Sequence, residues 1–251
     1  MSQSKTYPEG TIESSSATIS SGHRWWLSRR QHRLPSWRVW LIGSAVVFAA
    51  AWLFVANIHD YLCPTVRVGG DVLVIEGWVP DTVIEATAEM VHAGEYSLVY
   101  VSGMPLVRGK HMSSVSHADQ ETVASLINLG LAQDMVIGSP SNRSKGDRTV
   151  RMARAIRLGM EARGEIPERF DVITDGTHAR RSWQIYRAVF KDVSEVGIIS
   201  IPSPEYDAAD WTSTSVGAKQ VVIECVGLIH TAIRGIEQPS TIVPLPGEDG
   251  A

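Results

Sequence analysis

One short stretch gathers side chains that suit an anion. His178, Arg180 and Arg181 fall within four residues, just beyond the turn pair Asp175-Gly176. Phe170 to Thr174 before them is short and apolar, as a buried strand should be. Trp183, Ile185, Tyr186, Val189 and Phe190 after them form a helical apolar stripe. Thr177 is the expected N-cap, which puts the imidazole and both guanidiniums in the first helical turn. Unpaired backbone N–H groups and the positive end of the helix dipole converge there, and phosphate is the anion such a place favours most. The plain alternative is a capped helix whose arginines face water.

Other chemistry-bearing residues fall where strands end. Glu76 closes the first expected strand and Ser102-Gly103 the second. Asp147, Arg148 and Thr149 open the helix after the third strand, Gly176 and His178 follow the fourth, and Tyr206, Asp207 and Trp211 follow the fifth. Each has a bland reading. Asp147 is a good N-cap, Thr149 an ordinary helix residue, Ser102-Gly103 a turn, and Trp211 a hydrophobic lid. Their shared position is the stronger signal, because open parallel sheets bind ligands beyond the carboxyl ends of their strands. Familiar signatures are missing: no G-x-G-x-x-G, no Walker A loop and no G-x-S-x-G elbow. His111, His117 and Asp119 are too loosely spaced for a metal motif and read as a solvated loop, so no metal is expected. His92 and His230 read as ordinary helix residues.

The elements that must position these residues alternate. Strands are expected at 72–75, 98–101, 135–137, 170–174 and 196–201, and helices at 81–93, 117–129, 147–163, after 177, and at 216–234. Polar loops fill 104–116, 138–146 and 202–214. This pattern predicts an α/β fold, a Rossmann-like open and mainly parallel five-stranded sheet with helices on both faces. It occupies 66–236, with no second domain and no internal repeat.

Before that domain, Val39 to Ile58 runs twenty residues without a charge, enough for a transmembrane helix. Trp25, Trp26, Trp37 and Trp40 suit an interfacial belt on one side and Tyr61 on the other. Five arginines precede the span within fifteen residues, and only Arg67 follows within twenty. That bias predicts a cytoplasmic N-terminus and an extracytoplasmic domain. The competing reading is a cleaved signal peptide, whose apolar region is usually shorter. Residues 1–38 are expected to be disordered and basic, and 237–251 a loose tail.

The whole chain carries 23 basic and 27 acidic side chains. Six basic and two acidic ones lie in 1–38, so residues 59–251 hold 17 and 25, a net of −8. A domain that acidic makes a poor partner for nucleic acid. Cys63 and Cys225 form no metal or redox spacing, and neither is assigned chemistry.

Taken in order, VLVIEGWVPD at 72–81, VSG at 101–103, DRT at 147–149 and GTHARRS at 176–182 resemble the ElyC/SanA/YdcF family of bacterial envelope proteins. Tyr206-Asp207, Trp211 and Glu224 complete the pattern, which covers residues 70–235. The most specific pieces are His178-x-x-Arg181 and Arg148-Thr149. The chain departs at Glu76-Gly77, where many members have paired glycines. It departs again at 147–151, DRTVR, where many have Asn-Thr-x-Glu-Asn. The resemblance implies one membrane helix before a Rossmann-like domain, and a role near peptidoglycan assembly, its lipid carrier or the permeability barrier. One branch is linked to S-adenosylmethionine.

The favoured expectation is a single-pass protein of the bacterial plasma membrane. Its external domain binds, with or without hydrolysing, a phosphate-bearing molecule such as a polyprenyl-phosphate carrier or a peptidoglycan precursor. His178, Glu76 and Asp147 are the candidate catalytic residues. Ser102, Gly103, Arg148, Thr149, Gly176, Arg181, Asp207 and Trp211 are the candidate ligand contacts. Two alternatives stay open: a non-catalytic envelope binding or scaffold module, and a nucleotide or S-adenosylmethionine-binding protein. No cofactor is assigned.

Overall fold

The computed structural model describes residues 36–106, 116–142 and 148–236. The expected disordered leader up to residue 35, the loose tail, Asp147, His111 and most of the 104–116 loop lie outside the described residues. The chain divides into two compact units, 1–47 and 48–251. Helix α1 (Trp37–Leu62) starts in the first and ends in the second. At a rise of about 1.5 Å per residue it is roughly 39 Å long. All its residues up to Asn57 are exposed, whereas Ile58, His59 and Leu62 are buried in the second unit. The helix outruns the expected span by four residues because this last turn packs on the domain.

In the second unit, α1 is followed by β1 (Val72–Glu76), α2 (Asp81–His92), β2 (Leu98–Gly103), α3 (Ala118–Asn128) and β3 (Val136–Pro140). Then come α4 (Arg148–Arg163), β4 (Arg169–Asp175), α5 (Ala179–Val189), β5 (Glu195–Ile201) and α6 (Ser215–Arg234). The five strands form one sheet in the order β3-β2-β1-β4-β5, every pair parallel. The fold is α/β and Rossmann-like.

Strand residues alternate between two cores. Val72, Val74, Tyr100, Phe170, Val172 and Ile198 meet Ile156 and Met160 of α4 and Tyr186 of α5. Leu73, Ile75, Val99, Val101, Ile173 and Ile199 meet Val83 and Ile84 of α2 and Leu126 of α3. Because both faces are covered, the strands read as continuous apolar runs rather than alternating ones.

The strands β2 and β3 run further than their apolar stretches suggested. Ser102-Gly103 looks like a turn in isolation. In the sheet, however, Ser102 pairs with Glu76 on one side and Ser139 on the other, and Gly103 pairs with Pro140. Two parallel neighbours extend the ladder past the last apolar side chain. The connector before β1 also belongs to the domain. Val66 bridges Ile198 antiparallel, and the Val68 N–H donates to Asp171 Oδ1 at 2.9 Å.

Candidate functional site

The strand order reverses direction between β1 and β4. Ligands in such sheets bind in the crevice beyond the strand ends at that reversal. The side chains that end β1 and follow β4 therefore face each other. Glu76 is fully buried. Its Oε2 accepts the Thr174 hydroxyl at 2.6 Å, and the Ser182 hydroxyl lies 3.2 and 3.3 Å from its two oxygens. His178, itself buried, holds Nε2 3.5 Å from the same Oε2.

The other imidazole nitrogen faces a second carboxylate. Nδ1 lies 2.9 Å from Glu224 Oε1, on α6. Arg181 grips Glu224 with both edges of its guanidinium, Nε to Oε2 at 2.7 Å and Nη2 to Oε1 at 3.0 Å. Arg181 Nη2 also lies 2.9 Å from His178 Nδ1. Burial works to raise the Glu224 carboxyl, but the hydrogen bonds and positive charge of His178 and Arg181 overcome it and hold the group down at about 2. The Trp78 ring meets the imidazole edge-on, with centroids 4.8 Å apart. An imidazole clasped between two carboxylates is built to carry a proton on either nitrogen. With one proton it must leave one nitrogen bare; with two it satisfies both carboxylates.

His178, Arg181 and Glu224 line an open groove of about 1260 Å³, and Glu76 is buried behind the imidazole. Trp78, Met104, Arg148, Arg181 and Ile223 are among the residues lining it. Basic side chains crowd the rim. Among the described residues, Arg148, Arg151 and Arg234 line the groove, are exposed, and make no ion pair. Arg148 opens α4, and the first turn of that helix lines the same space.

The candidate residues sort themselves by place. Glu76, His178, Arg181, Arg148 and Thr149 come together. Thr149 is buried, with Oγ1 3.4 Å from Arg181 Nη1. Ser102 is fully buried one strand away from Glu76, and its hydroxyl has no partner in the protein. Gly103 serves packing: a Cβ there would lie 2.1 Å from the Asp119 backbone nitrogen, so no side chain fits. The Gly176 carbonyl accepts the Ser200 hydroxyl at 3.0 Å. Asp207 is exposed, off the groove, and caps the 3₁₀ segment Ala208–Ser213 by accepting the Ala209 N–H. Trp211 is no lid, since it packs with Val221, Cys225 and Leu228 against Ile58 and Leu62 of α1.

Two local expectations are corrected. Thr177 does not cap a helix. Gly176–His178 is a 3₁₀ turn, and α5 starts only at Ala179. That extra turn swings Arg180 away from the groove. Its guanidinium stacks 4.3 Å over the Tyr61 ring and donates to the Tyr61 carbonyl at 2.7 Å. Arg181, one position on and about 100° round the helix, points the other way.

Sequence reasoning assigned no role to Glu224, Thr174, Ser182 or Trp78. Glu224 did carry a signal: an acid inside the apolar run Val221 to Val226 must find a partner if it is buried. Asp175 ends β4 nearly buried, with Oδ1 unpaired, and burial pushes its carboxyl up to about 6, the nearby His178 charge opposing. Among the described residues, no group of three His, Cys, Asp or Glu side chains is placed to hold a metal ion. The chain matches no protein-family model and no curated protein sequence.

Proposed function

We propose that this chain is a membrane-anchored envelope protein of the ElyC/SanA/YdcF kind, whose α/β domain binds a phosphate-bearing envelope molecule and hydrolyses it. The observation that carries the reading is the imidazole of His178 clasped between Glu76 and Glu224 beneath a rim of unpaired arginines. A phosphate diester or pyrophosphate needs its negative charge neutralised and its leaving oxygen protonated. Arg148 and the amino end of α4 supply the first. His178, positioned by Glu224 and Arg181, gives a proton to the leaving oxygen as its bond to phosphorus breaks, water attacks the phosphorus, and the imidazole takes that water's proton back while buried Glu76 stabilises the imidazolium.

Among the described residues two helices, α1 and α6, are long and apolar enough to cross a membrane. The anchor reading rests on α1, which has no charge between Val39 and Ile58 and exposes every residue before Ile58. Helix α6 instead sends Gly217, Val221 and Glu224 into the domain. With arginines crowded before α1, the charge bias supports a cytoplasmic N-terminus and a domain on the outer side of a bacterial plasma membrane. Polyprenyl-phosphate carriers and peptidoglycan precursors are the phosphate-bearing molecules found at that surface.

The test is phosphate release from a polyprenyl pyrophosphate by the full chain in detergent. His178→Ala is expected to lower the rate by at least about a hundredfold, the usual share of a general acid. Unchanged release in that variant removes His178 from the chemistry. A second reading, binding without turnover, is favoured by one observation: Arg181, though it lines the groove, spends its guanidinium on Glu224. Tight binding of the pyrophosphate with no product over hours would select it.

A further inference from the structure

Helix α6 is apolar on two sides, and only one is covered. Gly217, Val221 and Glu224 are buried, and Cys225 and Leu228 pack beside Val221 against Ile58 and Leu62 at the end of α1. At about 100° per residue these five cluster on one side of the helix. Val222, Val226, Ile229 and Ile233 fall on another side, well away from it, at spacings of four, three and four. They are 58%, 61%, 59% and 80% exposed. Ile223, at 53%, extends the stripe to the groove, which Val226 also lines. A surface helix ordinarily puts polar residues there. The polar side chains of this part of α6, His230, Thr231 and Arg234, instead stand on the groove side. Contiguous exposed apolar surface of this kind marks an interaction site.

The place of the stripe says what covers it. The residues that seat α6 are seated on the last turn of α1, so the stripe lies within about one helix diameter of the point where that helix ends. We infer that the outer face of α6 docks on the lipid surface beside the exit of α1, with Val222, Val226, Ile229 and Ile233 in the acyl boundary. Arg234 and His230 then stand at headgroup level on the side where the groove opens. An apolar face with flanking basic residues and no partner among the described residues is the pattern of a helix lying in the interface plane. This rests on the reading of α1 as an anchor and goes beyond it. The groove then opens along the membrane rather than away from it.

The test uses the full chain in vesicles of phosphatidylcholine and phosphatidylglycerol, with Cys63→Ala and Cys225→Ala as background. Single substitutions Val226→Cys, Ile229→Cys, Ala50→Cys and Glu85→Cys carry an environment-sensitive fluorophore, and quenching by lipids brominated along the acyl chain is read. All four parent side chains are exposed, so the labels need displace no core. Quenching at 226 and 229 several-fold above that at Glu85, with quenching at Ala50 as the anchor control, is the expected result. Labels at 226 and 229 no more quenched than at Glu85, while Ala50 is quenched, overturns the inference and leaves the anchor standing. An unquenched Ala50 overturns both. Oxidative cross-linking of Val226→Cys between copies, without lipid quenching, assigns the stripe to a second copy and also overturns the inference. A lipid-borne diazirine applied to the unmodified chain checks the result without any substitution, and labelling must fall on the peptide 220–234.

Discussion

Two of the carboxylates buried in this sheet are held differently. Asp171 lies inside β4, where Oδ1 accepts the Val68 N–H at 2.9 Å and Oδ2 accepts the Tyr96 hydroxyl at 2.8 Å. Among the described residues it makes no ion pair. Glu76, at the end of β1, is held by two hydroxyls and an imidazole. A backbone N–H cannot turn or leave, whereas the Glu76 hydroxyls can rotate and the imidazole can give up a proton. The first arrangement fixes a carboxylate to the backbone; the second holds one through side chains alone. The rest of the polar interior divides the same way. Among the described residues, eight buried side-chain atoms have no hydrogen-bond partner: five belong to Ser102, Ser139, Asp175, His178 and Ser203, at strand ends or within three residues of them, and two to Thr82 and Asp119, in the first turns of α2 and α3. Buried polar groups are normally paired, so such a concentration marks the carboxyl edge as the place where something else completes the bonding.

The contrast breaks most easily at Asp171. Asp171→Ala strands a backbone N–H and a phenol, and is expected to cost about 3 kcal/mol in urea unfolding of the detergent-solubilised chain. Gly197→Ala should do at least as much harm, because its Cβ would sit 1.8 Å from Asp171 Oδ1. A wild-type midpoint in either variant would show that this carboxylate is not the fixed one.

Glu224 tests the other pole. Its carboxyl is held at about 2 in the folded chain, below its ordinary 4.5. A depressed acid stabilises above its unfolded pKa and loses that contribution as pH falls through the folded one. Glu224→Gln is therefore expected to cost about 2 to 3 kcal/mol at pH 7 and almost nothing near pH 2, read from urea midpoints at both.

Asp175 has the opposite sign. Burial raises its carboxyl from 3.8 to about 6. Below pH 3.8 both states hold the proton and there is no cost. Between 3.8 and 6 the unfolded chain ionises first, and above 6 the full penalty remains. Asp175→Asn should thus stabilise the chain by about 2 kcal/mol at pH 7 and leave it unchanged at pH 3.

The smallest effect belongs to the rim. Arg148→Ala is expected to shift stability by less than about 0.5 kcal/mol, as exposed substitutions do. Calorimetry with the pyrophosphate should still show binding weakened severalfold, and more so at low salt. Equal affinity in the variant would take Arg148 out of the site.

Much of this molecule is legible in one dimension. Short apolar runs rich in β-branched side chains mark each strand, because a sheet covered on both faces is mostly apolar. His178-x-x-Arg181 was legible as a pair because positions three apart share a helix face. Arg180 was not distinguishable from Arg181 by type. Their places one step, about 100°, apart on α5, which starts at Ala179 after the 3₁₀ turn Gly176–His178, separate them. Trp211 and Asp207 looked like ligand contacts because loops after strands carry function, yet one docks the end of α1 and the other caps a turn.

What the chain order determined alone is the alternation of strands and helices, the apolar α1 segment and the set of residues at strand ends, since each follows from short-range periodicity. What only the tertiary structure decided is who meets whom. Glu76 reaches Thr174 across 98 positions because β4 inserts beside β1, and Glu224 reaches His178 across 46 because α6 folds back over the strand ends. Strand order and helix docking are set by how whole faces pack, and no local pattern encodes that.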